Sequence, residues 1–136
     1  DGITDMATQV SLPVFPLLLR PRAKQVADIG WGSGCTMGYA LLFPVDKMIC
    51  AEIEPAVIET SKFFHQVNLR PEDDKRLQVE LNDGRNYMLA TDEKFDVITS
   101  EPSNPWQAGV CNLYTQEYFQ VCHDRLKEGG IFAMWW

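Results

Sequence analysis

The sequence is short of several things, and each shortage removes a class of function. None of its four cysteines, Cys35, Cys50, Cys111 and Cys122, stands in a CxxC pair or beside a histidine arrangement of metal-site type. No zinc site or disulfide framework is therefore expected. Reduced thiols, three of them in apolar surroundings, and a cytoplasmic setting are the expectation. Clustered Lys and Arg are missing too: the formal net charge is -7, which speaks against nucleic acid as a partner and suits a small cationic substrate. The longest uncharged apolar run near the start, "SLPVFPLLL", is too short to span a bilayer and is interrupted by Pro13 and Pro16, so neither membrane contact nor a signal peptide is expected. Repeats and low-complexity tracts are absent, and the polar "NLRPEDDKR" of residues 68–76 reads as a surface loop.

The 136 residues, 46% of them hydrophobic, suffice for one core, so one domain is expected over residues 1–136. Short apolar runs alternate with helix-like segments. "KQVADI" reads as a strand, "CTMGYALLF" as a helix, "KMICAEI" as a second strand, and "PAVIETSKFFHQ" as a helix with Pro55 in its first turn. "RLQVEL", "KFDVITS" and "IFAMWW" complete five strands, with helices at "GRNYMLA" and "YTQEYFQVCHDRL" between them and "KEGG" as a helix stop. This alternation predicts an α/β, Rossmann-like, doubly wound and mainly parallel sheet with helices on both faces. The chain stops in its fifth strand at Trp136, so the domain is expected to lack its final strands. The two adjacent tryptophans at the sheet edge would need cover from a second copy or from more of the same polypeptide.

In such sheets ligands sit beyond the carboxyl ends of the strands. The first strand's exit loop, "DIGWGSGC", carries Gly30, Gly32 and Gly34, where backbone amides can approach a ligand with a helix beginning behind them. Cys35 stands where a dinucleotide fingerprint needs glycine, and no GK[ST] element is present, so NAD, FAD and P-loop nucleotides are disfavoured. Glu52, about twenty positions on, is placed to accept hydrogen bonds from two ribose hydroxyls, with Glu54 following it. Asp83 and Gly84, at the exit of the third strand, could meet an exocyclic adenine amine, although alone they would be only a good turn. "SEPSNPW" brings Glu101, Asn104 and Trp106 to the same region, on a loop stiffened by Pro102 and Pro105. A carboxylate there could orient an amine or take its proton. His65 and His123 have no partner in triad spacing and read as structural.

The order of "TDMATQ", "PLLL", "IGWGSGCT", "AEIEPAVIETSKFF", "NDGRNYM", "ITSEPSNPWQAGVCNLYTQEYF" and "LKEGGIF" resembles the spermidine synthase-like (polyamine aminopropyltransferase-like) family of the class I S-adenosylmethionine-dependent methyltransferase fold. The resemblance implies the glycine loop under the amino-acid-derived tail of an S-adenosyl nucleoside, Glu52 on the ribose, Asp83 near the adenine, and the loop from Glu101 facing a small amine. It implies no metal. Glu101 and Asn104 take the catalytic places, while Asp28, Gly30, Gly32, Ser33, Gly34, Glu52, Asp83 and Gly84 take the binding ones.

The chain also departs from the family pattern. Ser33 stands where aminopropyltransferases carry the Asp of GGGDG, a carboxylate that would attract an aminopropyl ammonium and repel a methionine carboxylate. "EPSNP" replaces the acidic DxxDP, so Asn104 removes one of two charges. Asp28 in "ADIGWGSG" looks like a methyltransferase loop. Three readings follow: aminopropyl transfer from decarboxylated S-adenosylmethionine, methyl transfer from S-adenosylmethionine, and a nucleoside-binding or structural module without catalysis.

Overall fold

The protein was analysed as a computed structural model, described for residues 3–102, 106 and 109–135, with side chains from residue 6 onward. Five strands form one sheet in the order β3-β2-β1-β4-β5, every neighbouring pair parallel. They are β1 (Gln25–Ile29), β2 (Lys47–Glu52), β3 (Leu77–Leu81), β4 (Phe95–Ser100) and β5 (Leu126–Met134). The helices are α1 (Ile3–Leu19), α2 (Cys35–Ala40), α3 (Pro55–Thr60), α4 (Gly84–Ala90) and α5 (Gln116–Arg125).

Side chains alternate across a strand, so the three central strands, β2, β1 and β4, buried on both faces, must feed two cores. Val26, Met48, Cys50 and Val97 enter one core with Leu17 of α1 and Met37 and Ala40 of α2. Their immediate neighbours Ala27, Ile49, Ala51 and Ile98 enter the other, against Met88 of α4 and Tyr118 and Cys122 of α5. This doubly covered, parallel arrangement is the one expected from the sequence. Of the four cysteines, three are buried and Cys111 is exposed.

Helix α1 is the element that the sequence pattern hid. Pro13 and Pro16 lie inside it and are both buried. Proline has no N–H to give the carbonyl four residues back, so Pro13 leaves Gln9 O without its helical donor. The Thr36 hydroxyl lies 3.3 Å from that oxygen, and the Gln9 side chain accepts from Ser33 Oγ at 2.7 Å. The prolines thus allow α1 to dock on the glycine loop, and the apolar "SLPVFPLLL" is part of this helix. Among the described residues, no helix is long and apolar enough to cross a membrane.

Two further expectations change. "KEGG" is no helix stop: α5 ends at Arg125, and residues 127–130 lie within β5, where pairing passes from Phe95↔Leu126 to Val97↔Ile131. They bulge out opposite Asp96, with Gly129 at a φ of +67° taking the left-handed turn that the bulge requires. The stretch of residues 68–76 is not wholly surface either. Asn68 is fully buried and donates to Ser33 O and Ser61 O. Gly38 faces it, and a Cβ there would stand 1.9 Å from Asn68 O. Arg76 bonds the carbonyls of Leu41, Phe43 and Val45, fastening the start of β3 to the segment between α2 and β2. The helix expected over residues 55–66 is α3 followed by a 3-10 turn, Ser61–Phe64, and Trp136 lies outside the described residues.

Candidate functional site

The switch in strand order falls between β1 and β4, and a cleft of about 450 Å³ opens at their carboxyl ends. Its floor is Ile29, Gly30 and Gly32 after β1, with Ala51 and Glu52 at the end of β2. Gly30 and Gly32 have φ of +97° and +53°, conformations that side-chain-bearing residues rarely adopt. The walls are Ile53 and Val57 on one side and Val110 and Leu113 on another, with Asp83 and Gly84 at the start of α4 and Glu101 and Pro102 after β4. Apolar walls around a few fixed polar groups suit a flat, hydrogen-bonding ligand.

Glu52 is buried, and both its oxygens are held from the backbone. Trp31 N–H donates to Oε2 and Glu54 N–H to Oε1, each at 2.7 Å. Each carboxylate oxygen keeps a further lone pair, so the group is fixed and can still accept from two adjacent hydroxyls. Glu54 does something else: it is exposed and caps α3 by accepting from Ala56 N–H at 3.1 Å. Asp83 makes the turn that its sequence context allows and also faces the cleft. Its Oδ1 caps α4 through Asn86 N–H at 2.9 Å, and the residue lines the cleft.

Glu101 lies against the Thr36 hydroxyl, 3.3 Å from Oε2. Neither Thr36 nor Gln9 stands out in the sequence, because their part in the site depends on the unexpected helix α1. The apolar walls were equally unmarked; only their position after strand ends could have suggested them.

Three expected binding residues do not line the cleft. Gly34, in the left-handed conformation, packs against Asn68, Pro71 and Trp31 and caps α2. The Ser33 hydroxyl donates to Gln9 and accepts weakly from Cys35 N–H. Asp28 lies beneath the floor, 1% exposed, with Oδ1 accepting from Thr99 Oγ1 at 2.7 Å and Oδ2 without a partner. Burial, followed by the negative charge of Glu101, pushes its carboxyl up to about 8 against the opposing pull of the Thr99 bond. Burial likewise raises the thiol of Cys50, its register partner on β2. Asn104 and Pro105 lie outside the described residues, and Trp106 is 80% exposed. His65 pairs with Glu72 and His123 contacts Asp124, both away from the cleft. Among the described residues, no group of acidic, His and Cys side chains could hold a metal ion.

Comparison with known proteins gives this cleft a family. Residues 6–135 match the spermine/spermidine synthase domain. The polyamine aminopropyltransferase of Thermotoga maritima is 33% identical over 141 aligned residues, covering 98% of this chain and 47% of that protein. That of Pseudomonas syringae pv. tomato is 36% identical over 120, covering 87% and 42%. The chain therefore spans about half the length of the curated relatives it matches. A spermidine synthase solved with the transition-state analogue AdoDATO superposes with a TM-score of 0.87 at 32% identity, covering 95% of this chain and 44% of that one. Human methyltransferase-like protein 13, solved with SAH, shares the fold at a TM-score of 0.66 and 21% identity, covering 95% and 61%. The match over nearly the whole length, on the sheet order and cleft described above, means that this chain belongs to the spermine/spermidine synthase family.

Proposed function

We propose that the chain forms the nucleoside-binding part of an aminopropyltransferase, which moves an aminopropyl group from decarboxylated S-adenosylmethionine to a small amine. The observation that carries this reading is the convergence of Glu52, Asp83 and Glu101, from three successive strand exits, on one cleft over Gly30 and Gly32. The solved spermidine synthase relative with its bound analogue supports it.

The residues present fit such a ligand. Glu52, held by two backbone N–H groups, accepts from the ribose hydroxyls. Asp83 takes the exocyclic amine of the adenine between the apolar walls, and the side-chain-free floor admits the tail. The nucleoside supplies an electrophilic carbon beside its sulfonium. An amine held near Glu101 attacks that carbon in line; the N–C bond forms, the C–S bond breaks, and its electron pair stays on sulfur as a neutral thioether. The amine proton leaves to Glu101 or to water. Positioning does most of the work, because the nucleophile and electrophile need little activation beyond proximity and proton removal.

One observation favours methyl transfer as a second reading. The Ser33 hydroxyl is engaged with Gln9, so the loop offers no carboxylate to an aminopropyl ammonium. Calorimetry with decarboxylated S-adenosylmethionine, the intact form and methylthioadenosine separates the readings. Tighter binding of the decarboxylated form is expected. Preference for the intact form would replace the proposal with methyl transfer, and no binding of any would leave a module without catalysis.

A further inference from the structure

Strand alternation sets Asp28 on the face of the sheet that also carries Cys50 and Thr99, its register partners on β2 and β4. Among the described residues, the titratable groups that bear on it are all acidic: Cys50 and Glu52 from β2, Glu101 beyond β4, and Tyr118 from α5. None of these is a cation. The carboxyl is 1% exposed, and only Oδ1 has a side-chain donor, Thr99, whose hydroxyl is also shared with Ala27 O. Oδ2 is buried with no partner. A third negative charge, between those of Glu52 and Glu101, is poorly tolerated there, whereas a neutral carboxylic acid is tolerated. A cation brought between those two glutamates changes that balance, since it favours every nearby ionised carboxyl.

We propose that Asp28 is a neutral acid in the ligand-free protein and releases its proton to solvent when a cation occupies the cleft between Glu52 and Glu101. Asp28 is then a positioning residue that makes the cleft more negative only when a positive ligand is present. The inference rests on the nucleoside reading above, and it goes beyond that reading by coupling ligand charge to proton release. The raised pKa of Asp28, caused first by its burial, agrees with it. No bond to the ligand is made; a carboxyl O–H is exchanged for a hydrated proton.

The test is calorimetry near neutral pH in two buffers of different ionisation enthalpy, which counts protons exchanged on binding. Decarboxylated S-adenosylmethionine, a dication, is compared with neutral methylthioadenosine, in the wild type and in Asp28→Asn. The expected result is an excess release approaching about one proton for the dication, lost in Asp28→Asn. Equal release with both ligands, or an excess that persists in Asp28→Asn, would overturn the inference while leaving the nucleoside reading intact. Failure of both ligands to bind removes the nucleoside reading instead. The inference is then decided on ligand-free protein by the carbon-13 carboxyl resonance of Asp28, identified by its absence from Asp28→Asn. Titration above about pH 7 supports it, and full ionisation by about pH 5, as for an ordinary aspartate, overturns it.

Discussion

Two aspartates on adjacent strands are both nearly closed to solvent and behave in opposite ways. Asp28, near the carboxyl end of β1, is 1% exposed; Asp96, near the amino end of β4, is 5% exposed. In each, burial is the largest influence and favours the protonated form. Asp96 overcomes it with donors: Gln25 and Lys24 N–H at 2.9 Å, Lys127 Nζ at 3.0 Å and the Arg20 guanidinium at 3.2 Å. Its carboxyl is held down at about 2, while that of Asp28 is pushed up to about 8. Closure from solvent alone therefore does not decide acidity here: Asp28 lies deeper in the protein and has fewer donors, and the two act together. The end of the sheet where α1, β1, β4 and the bulge of β5 are fastened together is saturated with hydrogen bonds. The end that opens on the cleft keeps an unsatisfied carboxyl.

The contrast breaks most visibly by removing the saturated partner. Asp96→Ala leaves Arg20, Lys127 and two backbone N–H groups without their acceptor, and should cost about 3–5 kcal/mol of stability. Urea unfolding measures this. A loss below about 1 kcal/mol would mean that the four donors find water or other carbonyls and that the fastening is illusory.

The pH dependence of stability sharpens it next, because the two groups act in separate windows. Asp96 titrates lower when folded than its ordinary value of 3.8, so its contribution is complete above about pH 4 and is lost as pH falls toward 2. That contribution is on the order of 2–3 kcal/mol. Asp28 titrates higher when folded, so the native state holds an extra proton between 3.8 and about 8. Its ionisation therefore erodes stability as pH rises through that window, by up to a few kcal/mol, with no further loss above it. Asp28→Asn should flatten the alkaline limb and leave the acid limb unchanged; an alkaline slope equal to that of the wild type would assign it to another group.

The same contrast explains what could be read in the sequence. Strand positions, their parallel order and the cleft at their carboxyl ends follow from apolar runs and turn residues, which act locally. Gly30, Gly32, Glu52, Asp83, Gly84 and Glu101 were legible because each stands at or just beyond the end of a strand, and all line the cleft. Helix α1 was not legible, since Pro13 and Pro16 argue locally against a helix, and the Thr36 hydroxyl that meets the carbonyl freed by Pro13 comes from a distant part of the chain. The bulge of residues 127–130 was misread because its glycines suit a helix stop as well as a left-handed turn gripped by Arg20, a contact 108 or more residues away in sequence. Asp28 looked like a ligand contact because its motif position was visible and its depth was not.

Within the cleft, Glu52 tests whether a fixed carboxylate with spare lone pairs is what the open end of the sheet supplies. Glu52→Ala should weaken methylthioadenosine binding by about 1–3 kcal/mol, the worth of a hydrogen bond to a buried charged group. Unchanged affinity in a folded variant would remove the ribose assignment, and with it the functional half of the contrast.

The smallest effect is expected at Ser33, which lies beside the cleft without lining it. Ser33→Asp puts a carboxylate where related aminopropyltransferases carry one, facing Gln9, whose amide can turn to present its NH₂ in place of the oxygen that now accepts from the serine. The new charge is half-exposed, so its pull on a ligand ammonium is screened to about 1 kcal/mol or less. The measured quantity is the ratio of dissociation constants for intact and decarboxylated S-adenosylmethionine. It should shift toward the decarboxylated form by up to about fivefold, since 1.4 kcal/mol corresponds to about tenfold. A shift toward the intact form would mean that the amino-acid tail does not run along this side of the glycine loop.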